Sequence, residues 1–354
     1  MITREKTKVV HIGGVPVGGG HSIKIQSMTT TDTRNVSATV AQIKELENTG
    51  CEIIRVAVPN IEAAAAIKVI KKEISIPLVA DIHFDHHLAI ESIKNGADKL
   101  RINPGNIGNE SRIRQVAEAA MANNLPIRVG VNGGSLEKEI LAKYNGVTAE
   151  GLAESALLNI GLLEKFGFDN IVVSVKASNV PLLVDSHKII AKHVPYPLHI
   201  GLTEAGTPFK GAIRSAAGLG ALLNLGLGDT LRVSLSGDPT NEIHVAKDIL
   251  AAMGLRQFGL TVIACPTCGR TDVNIGQIAA NLEKKLDHIT TPLTLAVMGC
   301  VVNGPGEARE ADIGVAFGKG SAVLFRKGEI VRKIGLDEVE DVVVCEIDLL
   351  LKPN

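Results

Sequence analysis

Three cysteines and a carboxylate form the sharpest chemical signal in the chain. Cys265-Pro-Thr-Cys268-Gly-Arg is followed, after 31 intervening residues, by Met298-Gly-Cys300-Val-Val-Asn-Gly-Pro-Gly-Glu307. A Cys-x-x-Cys pair behind a strand can bind zinc, exchange thiols or hold an iron-sulfur cluster. Thiol exchange has no use for a third cysteine. Zinc wants a fourth thiolate or imidazole, for which Cys345 and His288 are available, although Cys345 lies in the apolar stretch DVVVCEID and reads as a small core residue. A cluster takes four ligands, and the glycines at 269, 299, 304 and 306 allow backbone amides to approach its sulfides. Glu307 is the candidate fourth ligand, an oxygen donor weaker toward iron than thiolate. The residues favour a cluster and leave zinc open. Cys51, at the start of a strand, reads as core.

A second signal is cationic. In strand-like segments alternate residues share a face, and an aliphatic interior is expected where a barrel is only structural. In TLRVSLSG, Leu231, Val233 and Leu235 oppose Arg232, Ser234 and Ser236. Leu100 and Ile102 oppose Arg101 and Asn103, and Ile127, Val129 and Val131 oppose Arg128 and Asn132. The apolar parity packs on helices, so the polar parity points inward. The same parity adds Asp81, His83, Arg55, Ser174 and Lys176, with Thr203 and Glu204 expected to close the seventh strand. The visible acids, Asp81 and Glu204, cannot neutralise Arg55, Arg101, Arg128, Lys176 and Arg232 together. Unpaired buried charge costs several kcal/mol, so an anion is required. Arginine's planar fork suits phosphate oxygens, and several convergent cations predict a diphosphate-sized ligand at the barrel mouth. His83 reads equally as a ligand contact or a hydrogen-bonded barrel residue, and His86 and His87 as helix-start residues.

These side chains need a scaffold. Eight strand-like segments (21–28, 52–59, 76–82, 99–104, 126–131, 170–178, 197–205 and 230–237) alternate with helix-period stretches such as SATVAQIKELENTG, which ends on Gly50. Eight βα units in series predict an α/β fold, a TIM (β/α)8 barrel. A doubly wound sheet is the alternative, but no G-x-G-x-x-G follows the first strand. Three parts are expected: a hairpin at 1–20 closing the barrel bottom, the substrate-binding barrel at 21–254, and a smaller α+β domain at 255–354 with helices near 274–286 and 337–351.

Composition narrows the partners. The chain has 354 residues, with Lys plus Arg 37 against Asp plus Glu 38, so no global field favours nucleic acid or anionic membrane. Seven Phe, two Tyr and no Trp supply few stacking platforms for single strands. The N-terminal segment carries no apolar secretory stretch and no run reaches membrane-spanning length, which predicts a cytoplasmic location.

The segments IQSMTTTDT (25–33), ADIHF (80–84), LRINPGNIG (100–108), IRVGVNGGSL (127–136), VSVKAS (173–178), GLTEAG (201–206), LRVSLSGDP (231–239), CPTCGR (265–270) and MGCVVNGPGEAREADIG (298–314) resemble one family along essentially the whole chain. It is the 4-hydroxy-3-methylbut-2-enyl diphosphate synthases of the non-mevalonate isoprenoid route, in the shorter bacterial form. The resemblance implies a barrel followed by a nitrite/sulfite reductase-like domain, with a [4Fe-4S] cluster on Cys265, Cys268, Cys300 and Glu307. It implies two-electron reductive opening and dehydration of 2-C-methyl-D-erythritol 2,4-cyclodiphosphate to the linear allylic diphosphate. The implied substrate contacts are Arg55, His83, Arg101, Asn103, Arg128, Asn132, Lys176, Thr203, Glu204, Arg232 and Ser234, with Asn303 beside the cluster. Glu204 is implied as proton donor or relay, and Glu307 as a ligand that yields to substrate. Flavodoxin or ferredoxin is implied as electron donor, and a homodimer as the assembly, its active site shared between chains.

Two other readings compete. One is a barrel aldolase or phosphate lyase with Lys176 as Schiff base and a structural zinc domain. The other is an iron-sulfur sensor that binds a phosphorylated metabolite without turnover.

Overall fold

The computed structural model describes residues 1–352 except 269, 270, 272, 301–305 and 307. It divides into two compact units, Met1–Arg256 and Gln257–Asn354.

The first unit opens with a hairpin, β1 (Val10–Ile12) and β2 (Val15–Val17), turned by Gly13-Gly14. Gly13 has φ +52°, and a Cβ there would meet the Asp98 carboxyl at 2.8 Å. Both the left-handed backbone and the close approach select glycine. Val10, Ile12 and Val17 form one buried cluster with Ile53, Val79 and Val172, the lowest inward-facing residues of three barrel strands.

Eight parallel strands follow: β3 (Lys24–Met28), β4 (Ile53–Ala57), β5 (Leu78–Asp81), β6 (Lys99–Ile102), β7 (Ile127–Asn132), β8 (Ile171–Lys176), β9 (His199–Ile200) and β10 (Thr230–Leu231). Their order is β8-β7-β6-β5-β4-β3-β10-β9, and a parallel bridge between Val173 and Leu198 joins the two ends into a closed barrel. The principal helices between and after them are α1 (Val36–Thr49), α2 (Ile61–Glu73), α3 (His86–Lys94), a short α4 (Pro104–Ile107), α5 (Glu110–Ala122), α6 (Lys138–Tyr144), α7 (Ala149–Glu164), α8 (Val180–His193), α9 (Pro208–Asn224) and α10 (Thr240–Ala252). Asparagine starts four of them: the side chains of Asn35, Asn60, Asn109 and Asn179 each accept an N–H from the first turn. Ile54, Val56, Leu100, Ile102, Val129, Val173 and Val175, the outward parity, are all buried. That leaves the other parity facing the barrel axis.

Two strands are shorter than their sequence pattern predicts. The segments expected at 197–205 and 230–237 pair regularly only over His199–Ile200 and Thr230–Leu231. The physical reason lies at Gly201, where a Cβ would stand 2.6 Å from the Arg232 carbonyl oxygen. The two backbones meet there and then part into loops. Glu204 has φ +55°, a left-handed conformation that no strand accommodates, so it does not close strand seven.

The second unit holds a five-stranded sheet ordered β11 (Leu260–Ala264), β12 (Leu293–Met298), β13 (Ile313–Gly318), β14 (Ser321–Arg326) and β15 (Glu329–Ile334). The first three strands are parallel and the last three antiparallel. Helices α11 (Ile275–Leu286) and α12 (Val339–Leu351) share a core with it through Leu282, Leu286, Leu295, Val315, Val343 and Ile347. Cys51 is buried, as its strand position predicts, but Cys345 is exposed on α12. The apolar run around Cys345 misled because a helix repeats every 3.6 residues and buries only Val339, Val343 and Ile347.

Candidate active site

The inward parity of the barrel converges on a cavity of about 340 Å³, a size suited to one small molecule. Nine of the eleven side chains expected to touch substrate line it: Arg55, His83, Arg101, Arg128, Asn132, Lys176, Thr203, Arg232 and Ser234. Asp81, Gly130 and Ser174 complete the wall. The remaining two stand elsewhere. Asn103 is buried at the entry to α4, its Oδ1 without a partner among the described residues, and Glu204 is exposed on its loop. A larger, mostly apolar depression of about 660 Å³ is lined by Leu157, Leu158, Leu162 and Ile189 with Tyr144, Glu150 and Glu154, and Tyr144 Oη donates to Glu154 Oε2 at 2.6 Å.

Electrostatically the cavity is lopsided. Five cationic side chains face a single lining carboxylate, Asp81. Asp81 is shared three ways: Arg101 Nη1 lies 3.3 Å from Oδ1, while His83 Nε2 and Arg55 Nε lie 3.4 and 3.8 Å from Oδ2. Burial by itself would raise its pKa, but Arg55, Arg101 and His83 outweigh burial and hold the carboxyl well below the usual range. The cations are strained the other way. Burial, opposed by Asp81, lowers Arg55 to about 10, and burial together with the neighbouring guanidinium groups pushes Lys176 well down. Arg128 feels the same push yet keeps its charge, because a guanidinium does not give up its proton in proteins.

Hydrogen bonding leaves capacity for an anion. Among the described residues no acceptor reaches Arg128 Nε or Nη1, or Arg101 Nε, all three buried. Asn132 presents its carboxamide oxygen to Arg101 Nη2 at 3.1 Å, an orientation assigned from the hydrogen-bond network. Arg55 Nε and Nη2 contact the Met28 sulfur at 3.0 and 2.8 Å, a weak acceptor that does not neutralise the charge. Gly130 lets the layer close up: a Cβ there would stand 2.8 Å from Arg101 Nε.

Sequence reasoning missed two buried charges. Lys99, fully buried one layer below Arg101, donates to Gln26 Oε1 at 3.2 Å, and burial beside Arg128 lowers its pKa strongly. Its parity with Arg101 was the available signal. Glu242, on α10, pairs with Arg232 and supplies the second acid that Glu204 was expected to be. It carried no strand signal, since it lies in the first turn of a helix.

In the second unit, Cys265 follows β11 and Cys300 follows β12 by two residues, so both leave the C-terminal edge of adjacent parallel strands. Cys265 N donates to Val297 O at 3.0 Å, and Thr267 takes a left-handed φ of +66° between the two cysteines of the pair. Cys265 and Cys300 are partly buried, and Cys268 is exposed. A Cβ on Gly299 would lie 2.6 Å from Thr271 Oγ1, so the backbone beside Cys300 tolerates no side chain. Three sulfur donors beyond the ends of adjacent strands fit a thiolate-held iron-sulfur group. Asn303 and Glu307 lie outside the described residues. Asp85, His86 and His87, which bring ligand atoms together at the start of α3, belong instead to a helix cap: Asp85 accepts His87 N at 2.9 Å.

Comparison with known proteins agrees with both units. The family profile "GcpE TIM-barrel domain" matches residues 7–247, and "GcpE protein C-terminal domain" matches 261–349. A protein of Caldanaerobacter subterraneus named 4-hydroxy-3-methylbut-2-en-1-yl diphosphate synthase (flavodoxin) is 55% identical over 349 residues, covering 99% of this chain and 98% of its own. Proteins of the same name from Clostridium acetobutylicum and Geobacter sulfurreducens are each 52% identical, covering 98% of this chain and 99% of their own. Among solved structures, dihydropteroate synthase from Stenotrophomonas maltophilia superposes with a TM-score of 0.52 at 13% identity, over 71% of this chain and 100% of that one. That likeness speaks for the barrel fold alone.

Proposed function

Because the chain is an enzyme of the GcpE family, we propose that it opens and reduces 2-C-methyl-D-erythritol 2,4-cyclodiphosphate to 4-hydroxy-3-methylbut-2-enyl diphosphate. One observation carries the reading beyond the relatives' name: five cationic side chains line a cavity of small-molecule size against two carboxylates, Asp81 in its wall and Glu242 on Arg232, a surplus that a diphosphate neutralises. The balance of the reaction is two electrons and two protons in, one ring C–O bond broken, and one oxygen lost as water.

Each residue has a task in this proposal. Arg55, Arg101, Arg128, Lys176 and Arg232 clamp the two phosphates and fix the reacting carbons. Asn132, Thr203 and Ser234 accept or donate to the remaining oxygens, and His83, at the rim, hydrogen-bonds through the face not turned to Asp81. Asn103 and Glu204 join from neighbouring positions, Glu204 as donor or relay of the proton that leaves with the hydroxyl. Cys265, Cys268, Cys300 and Glu307 would hold a [4Fe-4S] cluster, with Asn303 assigned to the same site. When bound, such a cluster would supply electrons singly, and a flavodoxin or a ferredoxin would deliver them. Glu307 would be its one oxygen ligand, weaker toward iron than thiolate. The working assembly is a cytoplasmic homodimer with an active site built from both chains. No helix among the described residues is long and apolar enough to cross a membrane.

The aldolase and zinc reading has no counterpart in the relatives' names, and Lys176 is assigned to phosphate. A direct test is calorimetric titration with inorganic pyrophosphate at fixed ionic strength. Wild-type protein is expected to bind it, and Arg128→Ala and Arg232→Ala to bind about 10- to 100-fold more weakly, the value of a charge-assisted hydrogen bond. Equal affinity in all three proteins removes the phosphate assignment.

A further inference from the structure

Arg232 is the best-held cation of the cavity. Its Nε lies 3.2 Å from Glu242 Oε2 and its Nη2 3.3 Å from Oε1, a fork against a carboxylate that is itself buried. Glu242 is held in turn. Ser27 Oγ, on β3, donates to Oε2 at 3.0 Å, and the Leu235 backbone N–H donates to Oε1 at 3.1 Å. Four donors from three residues therefore fix one carboxylate. It also sits in the first turn of α10, where the helix dipole favours a negative charge.

The connections have a direction. Glu242 is not among the residues that line the cavity, whereas both groups it restrains belong to the lining or adjoin it: Arg232 lines the wall, and Leu235 follows the lining residue Ser234. The strand that would otherwise hold these residues ends at Leu231. Arg232 N still donates to Ile200 O at 3.0 Å, and past it the carboxylate of Glu242 anchors the segment through Leu235 N.

Building on the phosphate-binding role given above to Arg232, we infer that Glu242 is a positioning residue: it orients the Arg232 fork and the Ser234 segment toward the phosphate oxygens of the substrate. The inference predicts the sign of an effect. Replacing Glu242 by glutamine removes one negative charge from the neighbourhood of an anion site, and Coulomb's law alone then requires tighter anion binding. Positioning requires the opposite, because the glutamine amide presents N–H groups where Arg232 needs an acceptor, and the fork swings free.

The experiment is pyrophosphate titration of folded wild-type, Glu242→Gln, Arg232→Ala and double-mutant protein, with melting temperatures and, on the loaded enzyme, KM and kcat. Glu242→Gln is expected to weaken pyrophosphate about 5- to 20-fold and to raise KM more than it lowers kcat. In the Arg232→Ala background it is expected to add less than it costs in wild type, the non-additivity of residues that act through one another. Unchanged or tighter binding in Glu242→Gln, or a full additional loss in the double mutant, overturns the inference. Should Glu242→Gln not fold, Ser27→Ala removes one restraint at constant charge and is expected to weaken binding in the same direction by a few fold; no change there overturns it equally. If Arg232→Ala itself binds normally, the phosphate reading falls instead.

Discussion

Arg128 shows how far single residues were legible. Strand parity alone turned it inward, and in the folded protein its Nε and Nη1 are buried without an acceptor among the described residues. Its replacement by alanine is expected to abolish most anion affinity while the melting temperature holds or rises, because a buried unpaired charge is removed. A fall in melting temperature at constant affinity contradicts that. Parity failed where a residue leaves the strand lattice. Glu204 was read as strand and sits on a loop with φ +55°, and Glu242 was invisible because a helical acid in a first turn has many bland explanations. Lys99 was readable in principle, two residues before Arg101, but its acid-flanked segment ADKLRI resembles a solvated strand start.

Elements set the spacing of these charges. Gly130, in mid-strand, leaves room for the Arg101 guanidinium, so Gly130→Ala is expected to fold and to weaken pyrophosphate several-fold by displacing Arg101. Normal affinity in that variant means Arg101 relocates freely. At the other end of the barrel, Asp229 precedes β10 and accepts from Leu198 N at 2.7 Å and Thr7 Oγ1 at 3.2 Å. Burial raises its pKa from 3.8 to about 6 against those hydrogen bonds. Between these values the folded protein keeps a proton that the unfolded chain has released. Stability from this group is therefore full below the lower value and lost as pH rises through the window, by about 3 kcal/mol at pH 7. Denaturant titrations at pH 4 and pH 7 are expected to show a shallower decline in Asp229→Asn, and equal slopes contradict it. The barrel was readable because eight βα periods repeat. The truncation of β9 and β10 was not, because it arises from a backbone contact between Gly201 and Arg232 that neither local sequence announces.

At the scale of the molecule, the chain divides a barrel with a cation-lined cavity from a unit that carries cysteines near the ends of parallel strands. Anaerobically purified protein is expected to contain about four iron and four sulfide per chain, with the sulfide lost in Cys268→Ser. Zinc without sulfide contradicts the cluster. If the active site draws on two chains, mixing Cys300→Ser with Arg101→Ala protein restores turnover through heterodimers, and no recovery despite subunit exchange contradicts that arrangement. The most direct measurement is turnover itself: anaerobic wild-type protein, reduced flavodoxin and 2-C-methyl-D-erythritol 2,4-cyclodiphosphate, with products followed by mass spectrometry. The account predicts the linear allylic diphosphate, formed only with reductant and at least tenfold more slowly in Arg128→Ala, in line with a lost charge-assisted contact. Intact substrate recovered from fully loaded, reduced enzyme would contradict it.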